Sequence, residues 1–557
     1  MAEIIGGHIV AKYLQEIENV GAVFSLSGGH IDRIYDGIRE YGGIRLIDVR
    51  HEQAAAMMAH AWSVYTGQPG VCMVTAGPGF TNSLTGLVNA RQENAPLVMI
   101  SGVAPLQDRE KGALQEMGQA DMIKSTVKWH AVCRDIRRIP EYLSAAFGQA
   151  TSGRPGPVYL EIPPDVLNIP VDEQEVVWPR KGSVPAKPGP DPARIQPAAA
   201  MINEAARPFL IAGSGACFSN CDRQLQHFLE TTGVPFMLLG AGRGILADEH
   251  PLSIWDGGLM AAVTAFSQAD VVIALGVRFN YLMQYGSLFP QAKLLRVDID
   301  PAELDRNRAA DIGIFADLGL TLSALNQAVD KRDHRAWRDQ LSAAYLPLIQ
   351  GEIDARDQPS NPIHPIRLVG QVREVVGDDA VYVVDGGDTS YYGATGLRAT
   401  AKAGVLPTAG GQFGCLGTGF PFALAAKAAM PHKTVVLING DGSFGFNAME
   451  FDTAIRHNLP FVCVVNNDCA WGMIRHGQRL GYGGDDKIFG TELGRRPYEK
   501  MVEGLGGYGE LVEKDEDIVP AVKRALASGK PACINVLTDR DAVSLMTHMF
   551  MDGLKVD

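Results

Sequence analysis

No CxxC pair occurs among the eight cysteines, which stand at 72, 133, 217, 221, 415, 463, 469 and 533. The nearest two, Cys217 and Cys221, match no metal-ligand spacing, so neither a zinc site nor a disulfide framework is expected. Such thiols read as reduced and mostly buried, and the expected location is cytoplasmic. No run of 18 apolar residues is present, so no segment has the length of a membrane span. Positive charge is also in short supply. The 50 Lys and Arg stand against 63 Asp and Glu, a formal net charge of −13, and no long basic run breaks the excess. A polyanionic duplex is repelled on average, so nucleic acid is not an expected partner. The opening MAEIIGGHIVAKYLQEIENVG reads as an amphipathic helix rather than a secretory signal, because charges interrupt its apolar positions. What remains is the composition of a globular chain, 46% apolar and 20% charged with 62 glycines.

Short Val/Ile/Leu runs alternate with helical patterns nearly throughout: VCMVTA, PLVMI, VYLEIP, PFLIAGSG, VVIALG, LLRVDID, VYVVDGG, TVVLINGDG and FVCVVNN. Apolar runs without alternation suit strands buried on both faces, and the stretches between them suit helical crossovers. The expected class is α/β with parallel sheets. Two breaker-rich segments, Trp178–Pro192 and Asp354–Pro365, read as linkers. They divide the chain into expected domains at 1–178, 190–330 and 355–557.

The most informative stretch runs from Thr434 to Gly472. TVVLING reads as a strand, Asp441-Gly442-Ser443 as a turn and the segment after Asn447 as a helix; FVCVVN is the next strand, ending at Asn466-Asn467-Asp468. Asp441 and Asp468 then stand at the carboxyl ends of two strands that can be neighbours, where open α/β sheets bind ligands. Adjacent strands lie ~4.8 Å apart, so oxygen ligands from both ends can share one small cation. Mg²⁺ prefers oxygen and often bridges a carboxylate or two to substrate phosphates. Gly440 and Gly442 let the backbone approach a phosphate, and a following helix N-terminus favours its charge. A GDG alone is more often an ordinary strand–turn–helix; the Asn/Asp cluster about 27 residues later is what makes the pattern specific.

This pair of elements resembles the thiamine diphosphate (ThDP)-binding motif, and the resemblance covers essentially the whole chain in the order pyrimidine domain, Rossmann-like central domain, diphosphate domain. It implies Mg²⁺ held by Asp441, by Asp468 or Asn467, and by the carbonyl of Ala470, because the family usually has Asn where counting from Asp441 reaches Asp468. It also implies an activating glutamate for the cofactor's pyrimidine. Glu52, in IDVRHEQAAAMMAHAW, follows a strand and opens a helix. Alone it would be a first-turn glutamate complementing the helix dipole; with the metal motif downstream it becomes the activator. By the same resemblance Thr75, Gly79 and Asn82 stand near the pyrimidine. Gly386, Gly387 and Thr389 meet the diphosphate with Gly440, Gly442, Ser443, Trp471 and Gly472, and Leu416, flanked by Gly414 and Cys415, supports the bent cofactor. Family members place the glutamate of one subunit against the metal site of another, so a homodimer at least is implied, with a tetramer the expected state.

Within the family, SLSGGHIDRIYDG (25–37), Gln115 and the EFDT…WG run (450–472) resemble benzaldehyde lyase. His30 then reads as a proton relay, or as a loop cap beside Asp32; Gln115 reads as a hydrogen-bond donor to substrate, or as a surface helix amide. The central block, with PFLIAGSGA, LGVRFNYLMQYG and VDIDP, resembles 2-hydroxyacyl-CoA lyase and oxalyl-CoA decarboxylase. There Arg278, Asp298 and Asp300 either hold an ADP or CoA nucleotide or belong to a structural remnant. Acetolactate synthase has an acidic pair where this chain has Asn280-Tyr281, so FAD is not expected. The resulting expectation is a lyase or carboligase acting on 2-hydroxy ketones or 2-hydroxyacyl-CoA thioesters through a C2 carbanion. The rival is an acetolactate synthase-like enzyme or 2-oxoacid decarboxylase.

Overall fold

The computed structural model describes residues 3–180, 186–408 and 411–553. Part of the first linker (181–185), Gly410 and residues 554–557 of the tail lie outside the described residues. The chain forms two compact units, Met1–Ala186 with Phe420–Ala429 and Asp452–His457, and Lys187–Gly419 with Met430–Phe451 and Asn458–Asp557.

The unbroken apolar runs become strands buried on both faces, as all five residues of Val271–Leu275 and all six of Val435–Gly440 are. They assemble into three parallel sheets flanked by helices, an α/β fold. The first unit holds six strands in the order Arg45–Asp48, Ala22–Ser25, Gly70–Val74, Leu97–Ser101, Pro157–Glu161, Trp129–Val132. The second unit holds two sheets. One has five strands, Phe236–Leu238, Pro208–Ala212, Val271–Leu275, Lys293–Asp298, Ile312–Phe315. The other has six, Val405–Pro407, Val381–Asp385, Val435–Gly440, Val462–Asn467, Ala532–Leu537, Tyr508–Val512.

Near one edge of each sheet the strand order reverses: between Ala22–Ser25 and Gly70–Val74, between Pro208–Ala212 and Val271–Leu275, and between Val381–Asp385 and Val435–Gly440. At such points crossovers leave in opposite directions and open a crevice beyond the strand carboxyl ends. The segments that leave these ends include 26–30 with 75–79 and 386–389 with 441–443.

Two local expectations are corrected. The opening segment is not helical from its start: Glu3–Ile5 is a strand pairing antiparallel with Pro170–Asp172, and the helix begins at Gly6. Two adjacent isoleucines favour extended backbone, and the second strand supplies a ladder partner. Asp441-Gly442-Ser443 is not a turn but the first three residues of the helix Asp441–Asn447, with extended Gly440 before it and the Asp441 carboxylate in its first turn. Among the described residues no helix is long and apolar enough to cross a membrane.

One buried ion pair ties the central part of the second unit to its last sheet. The side chains of Arg243 and Asp248 are each 1% exposed and 2.7 Å apart. Arg243 also donates to the carbonyls of Ala394 and Leu397 and lies over the Trp255 ring, while Asp248 accepts from the Ala399 N–H. Arg243→Met would strand a buried carboxylate and is expected to destabilise the second unit by about 3–5 kcal/mol. A lower urea midpoint checks it, and Arg243→Met/Asp248→Leu should recover much of the loss.

Candidate active site

The first unit carries a cleft of about 790 Å³ at its reversal point, lined among others by His30, Glu52, Thr75, Gly79, Lys111 and Gln115. The sequence-selected residues from four separate segments therefore share one space. Glu52 opens the helix Glu52–Thr66, whose Ala- and Met-rich start favours helix and whose extended His51 caps it by accepting from Gln53 N–H. Glu52 is 7% exposed, and its Oε2 accepts from Asn82 Nδ2 at 3.0 Å. Across the cleft His30 Nδ1 meets Thr75 Oγ1 at 3.1 Å, and Thr75 Oγ1 donates to Gln115 Oε1 at 3.4 Å. Burial pushes the His30 imidazole below its ordinary pKa, with the Leu114 carbonyl acting the other way, so the ring is neutral at pH 7. Gln115 is not on a helix; it holds a left-handed backbone, φ 60°, in the loop bordering the cleft.

The second unit gathers the other set at its own reversal point. Asp441 and Asp468 leave adjacent parallel strands and face each other, both buried enough to raise their pKa, Asp441 further raised by the charge of Asp468. Among the described residues Asp441 Oδ2 is buried without a hydrogen-bond partner. Two such carboxylates are stable with a cation or a shared proton between them, and their all-oxygen chemistry suits Mg²⁺. Asn467 points the other way: its Nδ2 donates to Asn535 Oδ1 and its Oδ1 accepts from Cys469 N–H. Ala470 N–H donates to Asp468 Oδ1 at 3.1 Å. Glycine is required at 472, where a Cβ would sit 2.0 Å from Asp468 Oδ2, and at 442, where it would meet the Trp471 ring at 2.7 Å.

The neighbouring loop completes the surround. Gly386 and Gly387 precede the helix Asp388–Gly396, and buried Thr389 accepts through Oγ1 from Asn466 Nδ2 at 2.8 Å, close to Gly440. Asn466 was not among the sequence candidates, and its Oδ1 is also buried without a hydrogen-bond partner among the described residues. Ser443 is 2% exposed. Asp385, also passed over, accepts from the Gly419 N–H and is pushed by burial to about 6; it fixes the turn after Gly414, Cys415 and half-buried Leu416. Asp388 accepts from Ser544 and Thr547 and pairs with His476, which packs the start of the C-terminal helix against this region. An orphan carboxylate oxygen, an orphan amide oxygen, close glycine backbone and a helix N-terminus fit a metal-bound diphosphate.

In the central sheet Arg278 donates to Gln412 Oε1, and Asp298 and Asp300 cap successive local turns, accepting from the N–H groups of Asp300 and Ala302.

Family models for the thiamine pyrophosphate enzymes match the chain in three parts: the N-terminal TPP binding domain over residues 4–122, the central domain over 195–325 and the C-terminal TPP binding domain over 385–536. The chain belongs to the thiamine pyrophosphate enzyme family. Thiamine pyrophosphate is ThDP, the cofactor whose motif the sequence resembles. This ThDP enzyme is 34% identical to an acetolactate synthase large subunit of Mycobacterium tuberculosis over 542 residues, 96% of the chain and 95% of the relative. It is 32% identical to a 2-hydroxyacyl-CoA lyase of Arabidopsis thaliana over 558 residues, 96% of each. It is 30% identical to a probable acetolactate synthase large subunit of Methanocaldococcus jannaschii over 552 residues, 96% and 92%. The ThDP enzyme thus sits in the acetolactate synthase and 2-hydroxyacyl-CoA lyase group.

Proposed function

We propose that this chain is a Mg²⁺-dependent carbon–carbon lyase and carboligase acting on 2-hydroxy ketones or 2-hydroxyacyl-CoA thioesters. The observation that carries the reading is the His30–Thr75–Gln115 chain in the same cleft as Glu52. Asp441, Asp468 and the Ala470 carbonyl would hold Mg²⁺; Gly386, Gly387, Thr389, Gly440, Gly442, Ser443, Trp471 and Gly472 would surround the diphosphate. Thr75, Gly79 and Asn82 would border the pyrimidine, Glu52 would hold its N1′, and Leu416 would support the bent cofactor. When bound, ThDP supplies a nucleophilic carbon and an acceptor for the electron pair of the breaking bond. The protein's part is orientation and proton transfer. Neutral His30 accepts the proton of the substrate hydroxyl as the adjacent bond breaks and returns it in the ligation direction. Gln115 accepts from Thr75 through Oε1, so its Nε2 hydrogens are the ones directed to a substrate oxygen. The working unit is a homo-oligomer, a dimer at least. Arg278, Asp298 and Asp300 are the candidates for an ADP or CoA moiety, and Asn280-Tyr281 disfavours FAD.

A second reading, an acetolactate synthase-type enzyme, has the support of the mycobacterial and archaeal relatives. Copurifying FAD and turnover of pyruvate would favour it.

His30→Ala tests the first reading. With benzoin as probe, the rate of the chemical step in single turnover is expected to fall ~10²–10⁴-fold, with the melting temperature and ThDP retention unchanged. A variant that melts early yet cleaves at the wild-type rate would return His30 to the scaffold.

A further inference from the structure

We infer that Gln119 is the positioning residue that sets His30 and Gln115 against each other across the cleft, an inference resting on the roles proposed above for those two side chains. Gln119 opens the short helix Gln119–Ile123, is 1% exposed and is not among the residues that line the cleft. Its Oε1 accepts from the Gly77 N–H at 2.7 Å. Its Nε2 donates to the Gly102 carbonyl at 3.0 Å and to the Tyr159 hydroxyl at 2.8 Å, with Ser101 Oγ at 3.3 Å. An N–H only donates and a carbonyl only accepts, so these two backbone partners fix which end of the amide is oxygen. A side chain of this length must present an acceptor and a donor at once, which glutamate cannot do while ionised and leucine cannot do at all.

The two backbone points that the amide joins are the ones on which the proposed catalytic side chains rest. A Cβ on Gly102 would lie 2.3 Å from His30 Cβ, so the Gly102 backbone is the wall behind the histidine. A Cβ on Gly77 would lie 2.8 Å from Gln115 Cβ, and both residues hold left-handed backbone, φ 58° and 60°. For a glutamine that conformation persists only where its surroundings impose it. Thr75, which bridges His30 to Gln115, is two residues before Gly77 on the same turn. The amide is in turn anchored in the sheet: Tyr159 donates on to buried Glu161 at 3.0 Å, and Ser101 and Glu161 are register partners on adjacent strands. Gln119 thus converts a fixed point of the sheet into the separation of two loops, and a misplacement near 1 Å at reacting groups can cost ~10²-fold.

The test is a kinetic cycle on whichever of benzoin and lactoyl-CoA the enzyme cleaves, with wild type, Gln119→Leu, His30→Ala and the double variant. Gln119→Leu is expected to lower kcat ~10–100-fold with KM within about 3-fold. In the His30→Ala background the same change should cost less than about 3-fold, because the geometry it protects no longer matters. Equal losses in both backgrounds, or a wild-type kcat in Gln119→Leu, would overturn the inference while leaving His30 catalytic. A wild-type kcat in His30→Ala alone would overturn the catalytic reading and the inference with it. If Gln119→Leu fails to fold, Gln119→Glu decides: it keeps the acceptor for Gly77 but sets a carboxylate against the Gly102 carbonyl. Its kcat relative to wild type should rise as pH falls from 8 to about 5, as the carboxyl regains a donor; a ratio flat with pH would count against the inference. A second readout needs no turnover. In ¹⁵N-histidine spectra assigned with His30→Ala, Gln119→Leu should move the His30 signals; an unmoved ring would contradict the inference.

Discussion

Glu52→Gln is expected to leave ThDP bound but to slow exchange of its C2 proton at least ~10³-fold, the upper half of the range for a lost acid–base group. The bound state should survive because the diphosphate and metal, held by residues of the second unit, supply most of the affinity in the proposed arrangement. The loss follows from what the side chain can share. Glu52 is buried, with Oε2 accepting from Asn82 and Oε1 about 3.5 Å from where a Cβ on Gly79 would stand. A carboxyl group there can pass a proton to and from a ring nitrogen; a carboxamide of the same shape can donate a hydrogen bond but cannot exchange one. Deuterium exchange at C2 after acid quench measures the step directly. Exchange at the wild-type rate would remove Glu52 from the mechanism.

The second large effect is on binding rather than chemistry. Asp441→Ala is expected to lower ThDP retention ~10²-fold or more in the presence of Mg²⁺, the scale on which perturbing a metal site reduces affinity. Asp441 Oδ2 accepts no hydrogen bond among the described residues, so removing it costs the fold little and the ion much. The helix Asp441–Asn447 keeps its N-terminus, and the melting transition without ligand should stay cooperative. Removing Asp441 also relieves the repulsion with Asp468, so the variant without Mg²⁺ should melt no earlier than wild type. Stoichiometric ThDP in the purified variant, with full activity, would end the assignment.

The parts of this arrangement differ in how far they can be read from sequence, and the differences are physical. The nine apolar runs mark interior strands because burial on both faces removes alternation, and each of the nine is a strand. Edge strands leave a fainter trace. Trp129–Val132 is half-buried at every position, Phe236–Leu238 and Val405–Pro407 are three residues long, and Tyr508–Val512 carries a glutamate. The Asp441–Asp468 pair is legible because two adjacent strands deliver it. The ambiguity between Asn467 and Asp468 is one of pleat: side chains alternate, so Asn466 and Asp468 share a face while Asn467 turns to Asn535. Gln119 leaves no signature. Its partners come from residues 77, 101, 102 and 159, and two of the bonds go to backbone, which any sequence supplies.

The nucleotide candidates show the same limit from the other side. Arg278, Asp298 and Asp300 lie at or just beyond the carboxyl ends of two central strands, yet Asp298 and Asp300 each cap a local turn. Residues of this type at a strand end serve either use.

Product analysis by mass spectrometry, after incubating the Mg²⁺- and ThDP-supplemented enzyme separately with benzoin, a 2-hydroxyacyl-CoA and pyruvate, separates lyase from synthase chemistry. The expected products are aldehyde from benzoin, or aldehyde with formyl-CoA from the thioester, at rates well above that with pyruvate and lost in His30→Ala. Acetolactate from pyruvate as the dominant product, with neither of the other two substrates cleaved, would overturn the lyase assignment.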